Sequence, residues 1–238
     1  MCWSFEVSLA FAGAHFLSAV YVAWHRPPHT RYFLHFISFY LAMELLQALE
    51  WFTGVESHLN QSCTKTNTVL TVIAYLFIWL QPVLFASFAN KHDSRFVWYY
   101  SLYTLAVASF NLLLGFCEKA GGLELMSQSE KTNYGQQTCT YRGEGNHLVW
   151  KFAVPSFNYQ PTHYVYFSII LLTFIFHYDR ILQLTIGIGW LTTFFVSLLS
   201  TGTVNAELTS YWCLLSIFAD IPILVYTTLH ARKKTKEM

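Results

Sequence analysis

Residues Arg31 to Gly54 read RYFLHFISFYLAMELLQALEWFTG. The run is long and apolar enough to cross a bilayer, whose hydrocarbon core, about 30 Å thick, needs roughly 20 residues of helix. Glu44, Gln47 and Glu50 nevertheless lie inside it. A carboxylate within a membrane span is expensive unless it is paired, protonated or turned toward water, so a chain keeps one there when it has a partner or a task. At about 100° per residue the three polar side chains cover an arc of about 120° on one side of the helix. Trp51 projects within the same arc, and the small Ala48 borders it beside Glu44. That is the pattern of a helix lining a polar site inside a bundle.

The composition of the whole chain agrees. Its 238 residues are 54% hydrophobic, 18% aromatic and 11% charged. Soluble domains carry about 25% charged residues, so the balance points to a lipid bilayer as partner. A formal net charge of +1 argues against nucleic-acid partners, which require a concentrated basic face. Five cysteines with no CxxC pair are too few for a disulfide scaffold and give no zinc or redox motif. The amino end lacks a basic n-region and Ser4–His25 is itself long enough to span, so no cleavable signal is expected.

The fold expected is all-α: a single seven-helix transmembrane domain over residues 1–238. The spans fall near Ser4–Trp24, Tyr32–Thr53, Thr68–Ala89, Arg95–Phe116, His163–His177, Ile181–Leu199 and Ala206–His230. Only Tyr178-Asp179-Arg180 separates the fifth from the sixth, so six spans is the alternative count. Arg26, Arg31, Lys91, Arg95, Arg180 and the basic tail at 231–238 would share one side. By the positive-inside bias that side is cytosolic and the amino end lies outside. The Asn60-Gln61-Ser62 sequon then falls on the outer side, as a glycosylation acceptor should, in the plasma membrane or an endomembrane.

This topology sets Cys2, Cys63, Cys117 and Cys139 at or beyond the outer ends of spans, with Cys213 in the outer half of the last. An oxidising exterior permits disulfides there. Cys63–Cys139 would staple the second loop to the fourth, and Cys2 or Cys117 serve as alternatives. No metal is expected. The competing idea is an outer Cys/His centre drawn from Cys2, Cys139, Cys213 and His147 or His163, without the tight spacing that zinc or copper sites show. The long outer loop, about 117–162, ends in the aromatic run His147 to Pro155. That run reads as a re-entrant or interfacial segment, or as a plain amphipathic surface helix. Pro82 and Pro222 sit mid-span and allow kinks; with the third and seventh spans as counterparts they hint at a weak three-plus-one-plus-three arrangement.

Counting from span ends puts His15, Glu44, Gln81 and Asp220 near the midplane, with Gln47 beside them. Glu50 lies nearer the outer surface and has an interfacial alternative. Carboxyls in apolar surroundings hold their protons more tightly, which suits proton coupling or acid catalysis. Histidine beside them is a natural proton partner. The plainer alternative is that each group bonds to a neighbouring helix and holds the bundle together. The leading expectation is binding and translocation of a small solute or ion through a pocket that opens outward, proton-coupled through Glu44 and Asp220. The rival is a membrane-embedded enzyme acting on a lipid or isoprenoid, with Glu44, Asp220 and Glu50 as its acids. A seven-span receptor is third, disfavoured by short cytosolic loops. No cofactor motif is present: GxSxG, HExxH and a phosphate-binding glycine loop are absent, and the last span has no lysine for a retinal Schiff base.

Several short motifs carry a resemblance. Met1-Cys2-Trp3-Ser4, Glu6-Val7-Ser8-Leu9, Met43-Glu44-Leu45-Leu46-Gln47, Leu80-Gln81-Pro82, Gly145-Asn146-His147-Leu148-Val149-Trp150 and Tyr211-Trp212-Cys213-Leu214-Leu215-Ser216 run through most of the chain. Together they resemble an uncharacterised family of multi-span membrane proteins. The resemblance implies a multi-span fold and no particular activity. It also implies that Cys2, Cys139, His147 and Cys213 recur, which keeps an outer-side site under consideration. A looser likeness is to small seven-span terpene cyclases of fungal pathways. That likeness implies a second-span acid, Glu44 or Glu50, working with a last-span aspartate, Asp220; the flanking residues do not match.

Overall fold

The computed structural model describes residues 4–55, 63–87, 95–117, 134–143, 145–153, 163–175, 179–201 and 208–237. The chain is predominantly helical. Its helices are α1 (Phe5–His25), α2 (Thr30–Thr53), α3 (Lys65–Ala86), α4 (Arg95–Cys117), α5 (His163–Ile175), α6 (Arg180–Thr201) and α7 (Leu208–Glu237). Each expected span meets a helix. Six are long and apolar enough to cross a membrane by length and composition, and α5, at 13 residues, is the short one. The fifth and sixth spans do not merge without a break, because Asp179 is extended (φ −88°, ψ 103°) and starts α6 afresh. Its carboxylate accepts from the Ile181 and Leu182 amides at 2.8 and 3.4 Å, satisfying donors that a helix start leaves bare.

Other ends follow the same chemistry. Ser4 and Thr64 cap α1 and α3 by accepting from Val7 and Asn67. Helix α1 stops at Arg26, which turns left-handed (φ 46°) and donates to the Val22 carbonyl, just before Pro27-Pro28. Both mid-span prolines are carried inside continuous helices, Pro82 in α3 and Pro222 in α7. Helix α6 holds a π turn over Gln183–Gly187.

Helix α2 is the buried centre of one half, packed against α1, α3 and α7. Helix α7 also packs on α1 and, closely, on α6. A side chain at Gly189 would meet the Ala219 backbone at 3.0 Å, so the two helices approach there only because residue 189 has no Cβ. Between α5, α6 and α7 the core is aromatic. Trp190 and Trp212 meet edge to face at 4.8 Å, and Phe167 meets Phe194 at 4.6 Å. Pairs of this kind each contribute about 0.5–1.5 kcal/mol beyond their buried area.

The long loop differs from expectation. In place of a surface helix over 147–155, the chain makes a three-stranded sheet, ordered β1 (Tyr134–Gly135), β3 (Leu148–Ala153), β2 (Cys139–Arg142). Strand β3 runs antiparallel to β2 and parallel to β1. The reason is local. Val149, Trp150 and Phe152 favour an extended, half-buried ribbon, and a Gly- and Asn-containing turn precedes them. Asn146 is left-handed (φ 60°), and the Gly143 amide donates to the His147 carbonyl at 2.8 Å. A disulfide joins Cys63, before α3, to Cys139 in β2.

The sheet lies across one end of the bundle. Gly115 of α4 is pressed on Ala153, where an added Cβ would meet the carbonyl oxygen at 2.5 Å. Ser210 at the start of α7 donates to the Leu148 carbonyl at 2.7 Å. The sheet thus marks one end of the bundle, the sheet end, and the basic residues of α7 mark the tail end.

Candidate functional site

Two polar clusters are buried where α1, α2, α3 and α7 meet, one under the sheet and one at mid-height. They are built from residues repeating at helical spacing. Helix α2 contributes Tyr40, Glu44, Gln47 and Glu50; α1 contributes Ser8 and His15; α7 contributes Cys213, Ser216 and Asp220. Steps of three and four keep each set on one face.

The cluster under the sheet is saturated. Glu50 takes the Trp150 indole N–H at 3.0 and 3.1 Å and the Thr140 hydroxyl at 2.9 Å. The Thr140 and Thr71 hydroxyls lie 2.7 Å apart. Asn67 reads the β2 backbone as a strand would: its side-chain amide donates to the Thr140 carbonyl at 2.9 Å, and its oxygen accepts the Thr140 amide at 2.7 Å. Glu50 is 1% exposed. Its expected place at the outer interface is therefore corrected: the sheet continues the buried region past the end of α2 and supplies donors for the carboxylate.

The mid-height cluster has a different character. His15 Nδ1 lies 2.9 Å from Asp220 Oδ2, and Nε2 lies 3.2 Å from Ser216 Oγ. The Tyr40 ring stacks on the imidazole at 6.2 Å and 18°. The Tyr40 hydroxyl in turn accepts a hydrogen bond from the Gln81 side-chain amide, and the Tyr166 hydroxyl donates to the Gln81 carbonyl oxygen. All six side chains are at least 94% buried. Glu44 sits one turn from Tyr40, wholly buried, with the Ser8 hydroxyl as a weak partner that falls outside strict hydrogen-bond geometry. Among the described residues Asp220 Oδ1 has no hydrogen-bond partner.

Of the residues expected near mid-height, His15 and Asp220 are in direct contact, and Gln81 reaches them through Tyr40. Glu44 and Gln47 are buried on the same face of α2. Tyr40, Ser216 and Tyr166 were not anticipated. The first two had a signal, each lying one turn before an acid, Glu44 or Asp220. Tyr166 had none, since an aromatic residue among aromatics gains a polar partner only through packing. The sheet lies across the end at which the pocket was expected to open.

The weaker candidates resolve differently. Cys139 is spent in the disulfide, so it does not serve an outer metal centre. Among the described residues no group of three His, Cys, Asp or Glu could hold an ion. Cys213 is buried as a thiol, and His147 is packed edge-on against Tyr211 at 4.9 Å. Burial lowers the His147 imidazole from 6.5 to about 4. Cys2, Asn60 and the side chains of Cys117 and His163 lie outside the described residues. At the tail end His29 pairs with Asp179 at 2.9 Å, while His25 edges onto Tyr21.

The fold and site thus define a predominantly helical protein with a buried polar core and a disulfide-tied sheet across one end. A family of unknown function, DUF5765, matches residues 6–236, and the chain belongs to that family. It is similar to Uncharacterized protein R287 of Acanthamoeba polyphaga mimivirus, 33% identical over 232 residues, covering 95% of each chain. No solved structure matches.

Proposed function

We propose that the chain spans a membrane seven times, sheet end outside, and that the mid-height cluster performs acid–base chemistry on a lipid or isoprenoid. The orientation draws support from the Lys and Arg bias, and from a disulfide at the sheet end, where an oxidising compartment would preserve it. Apolar side chains turned outward, among them Leu17, Trp24, Phe52 and Leu199, suit contact with lipid.

One observation carries the chemical reading. Among the described residues Glu44 is wholly buried with no more than a weak contact to Ser8, in the same polar core as the His15–Asp220 pair. An acid kept in that condition is costly to the fold, and its value lies in what it does when a substrate arrives. Tyr40, Tyr166, Trp190 and Trp212 surround the cluster with aromatic surface, fit for an apolar substrate and for stabilising a developing cation. Glu44 would supply or withdraw the proton and His15 would be its counterpart.

The test is a comparison of lipids extracted from membranes that express the protein. Wild type should change an extracted lipid species; Glu44→Gln and Asp220→Asn, folded to the same extent, should not. An unchanged lipid profile in all three would end the proposal. A second reading, proton-coupled translocation of a small solute, is favoured by one feature: Glu50, Gln47, Glu44 and the His15–Asp220 pair succeed one another along the bundle. Flux into liposomes that depends on Glu44 would select it.

A further inference from the structure

Buried hydroxyls on these helices habitually bond to the carbonyl one turn earlier. Thr71 bonds to Asn67, Thr173 to Ile169, Ser197 to Thr193 and Thr227 to Ile223, each at 2.8 or 2.9 Å. Ser216, 1% exposed on α7, departs from the habit and directs its Oγ to His15 Nε2 at 3.2 Å. On the other edge of the ring, Nδ1 meets Asp220 Oδ2 at 2.9 Å. A carboxylate accepts only, so this network assigns the imidazole proton to Nδ1 and leaves Nε2 to receive the serine proton. Tyr40 lies over the ring, and its hydroxyl accepts from Gln81, so the phenolic proton is not consumed in that bond.

These contacts have the order of nucleophile, base and orienting acid. We propose that Ser216 is a nucleophile toward carboxylic esters dissolved in the membrane, with His15 as general base and Asp220 as a positioning residue. This rests on the acid–base reading above and narrows its substrate to a lipid ester.

The Ser216 Oγ–H proton passes to His15 Nε2 as Oγ forms a bond to the ester carbonyl carbon. The Tyr40 O–H, left undonated in its bond with Gln81, would be the donor for the negative oxygen that develops. The C–O bond to the alcohol breaks, and the alcohol leaves with the proton from His15. A water molecule then gives its proton to His15 and its oxygen to the acyl carbon, releasing the carboxylic acid and restoring Ser216. No redox change occurs.

The experiment uses the full chain in native membranes with a long-chain alkyl fluorophosphonate, whose phosphorus a serine alkoxide attacks with loss of fluoride. The expected result is one phosphonyl adduct per chain, mapped by mass spectrometry to the peptide that contains Ser216. That mapping on the wild type needs no variant. Ser216→Ala should abolish the adduct, and Ser197→Ala should keep it. His15→Gln should slow labelling by about 100-fold or more. Asp220→Asn should displace the pH profile of labelling at an unchanged melting temperature, which a merely structural role would not do. No adduct on the folded wild type, or one that survives Ser216→Ala, overturns the proposal. If lipid conversion still depends on Glu44 and Asp220 in that case, the acid–base reading stands without the nucleophile; if lipid conversion is also absent, both fall.

Discussion

Helix α2 buries two carboxyls on one face, Glu44 and Glu50, about 9 Å apart along its axis. They are equally hidden, yet Glu50 collects three hydrogen bonds from Trp150 and Thr140, whereas among the described residues Glu44 has only a weak contact with Ser8. The difference separates two uses of a buried acid. At the sheet end the carboxylate is a tie point between the helices and the strands. At mid-height the same chemical group is left weakly bonded, in the same polar core as a histidine–aspartate pair. Burial alone therefore does not distinguish the two acids; bonding does.

The comparison can be broken in several places. The largest expected effect is on the disulfide. Cys63 and Cys139 are separated by 76 positions, and releasing a loop of that size costs about 4 kcal/mol in the chain-entropy account. Cys63→Ser should therefore lower thermal stability strongly and loosen the sheet, as read by melting in detergent. Next comes Glu50→Leu, which strands the Trp150 N–H and leaves the Thr140 hydroxyl its Thr71 partner alone. At about 1–3 kcal/mol for an unsatisfied buried group, it should cost about 2 kcal/mol. Glu44→Leu should leave stability unchanged or raise it, since only a weak contact with Ser8 is lost and the cost of burying an acid is removed.

His147 offers a third test, through pH. The fold holds this imidazole neutral down to about 4, against 6.5 when unperturbed. Between those values the unfolded chain binds more protons, so stability is full above about pH 6.5 and declines as pH falls toward 4, by up to about 1.4 kcal/mol per pH unit. His147→Phe should flatten that slope in melting curves taken across the window. Among the changes that destabilise, the smallest is Tyr166→Phe, which removes one hydrogen bond to Gln81 and should cost about 1 kcal/mol.

Much of this was legible in the sequence, for identifiable reasons. The helices rest on long apolar runs and could be read directly, and ionisable residues inside them stand out against that background. His15, Glu44, Gln81 and Asp220 could be set at similar heights because depth can be counted along a helix. The sheet was misread because Leu148 to Ala153 is too short for its periodicity to distinguish strand from helix; the turn Gly143 to His147 was the better signal. That misreading caused the error at Glu50, since counting depth from the end of α2 assumes water beyond it. Ser216 and Tyr40 required the partner helix, because a hydroxyl one turn from an acid becomes informative only when His15 comes between them.

The central claim is that mid-height chemistry and sheet-end structure are separable on one helix. Its most direct measurement is lipid conversion by Glu44→Gln in expressing membranes, compared with wild type at equal amounts of folded protein. The account predicts an unchanged melting temperature with conversion lost. Conversion equal to that of wild type, or loss explained by a fall in folded protein, would contradict it.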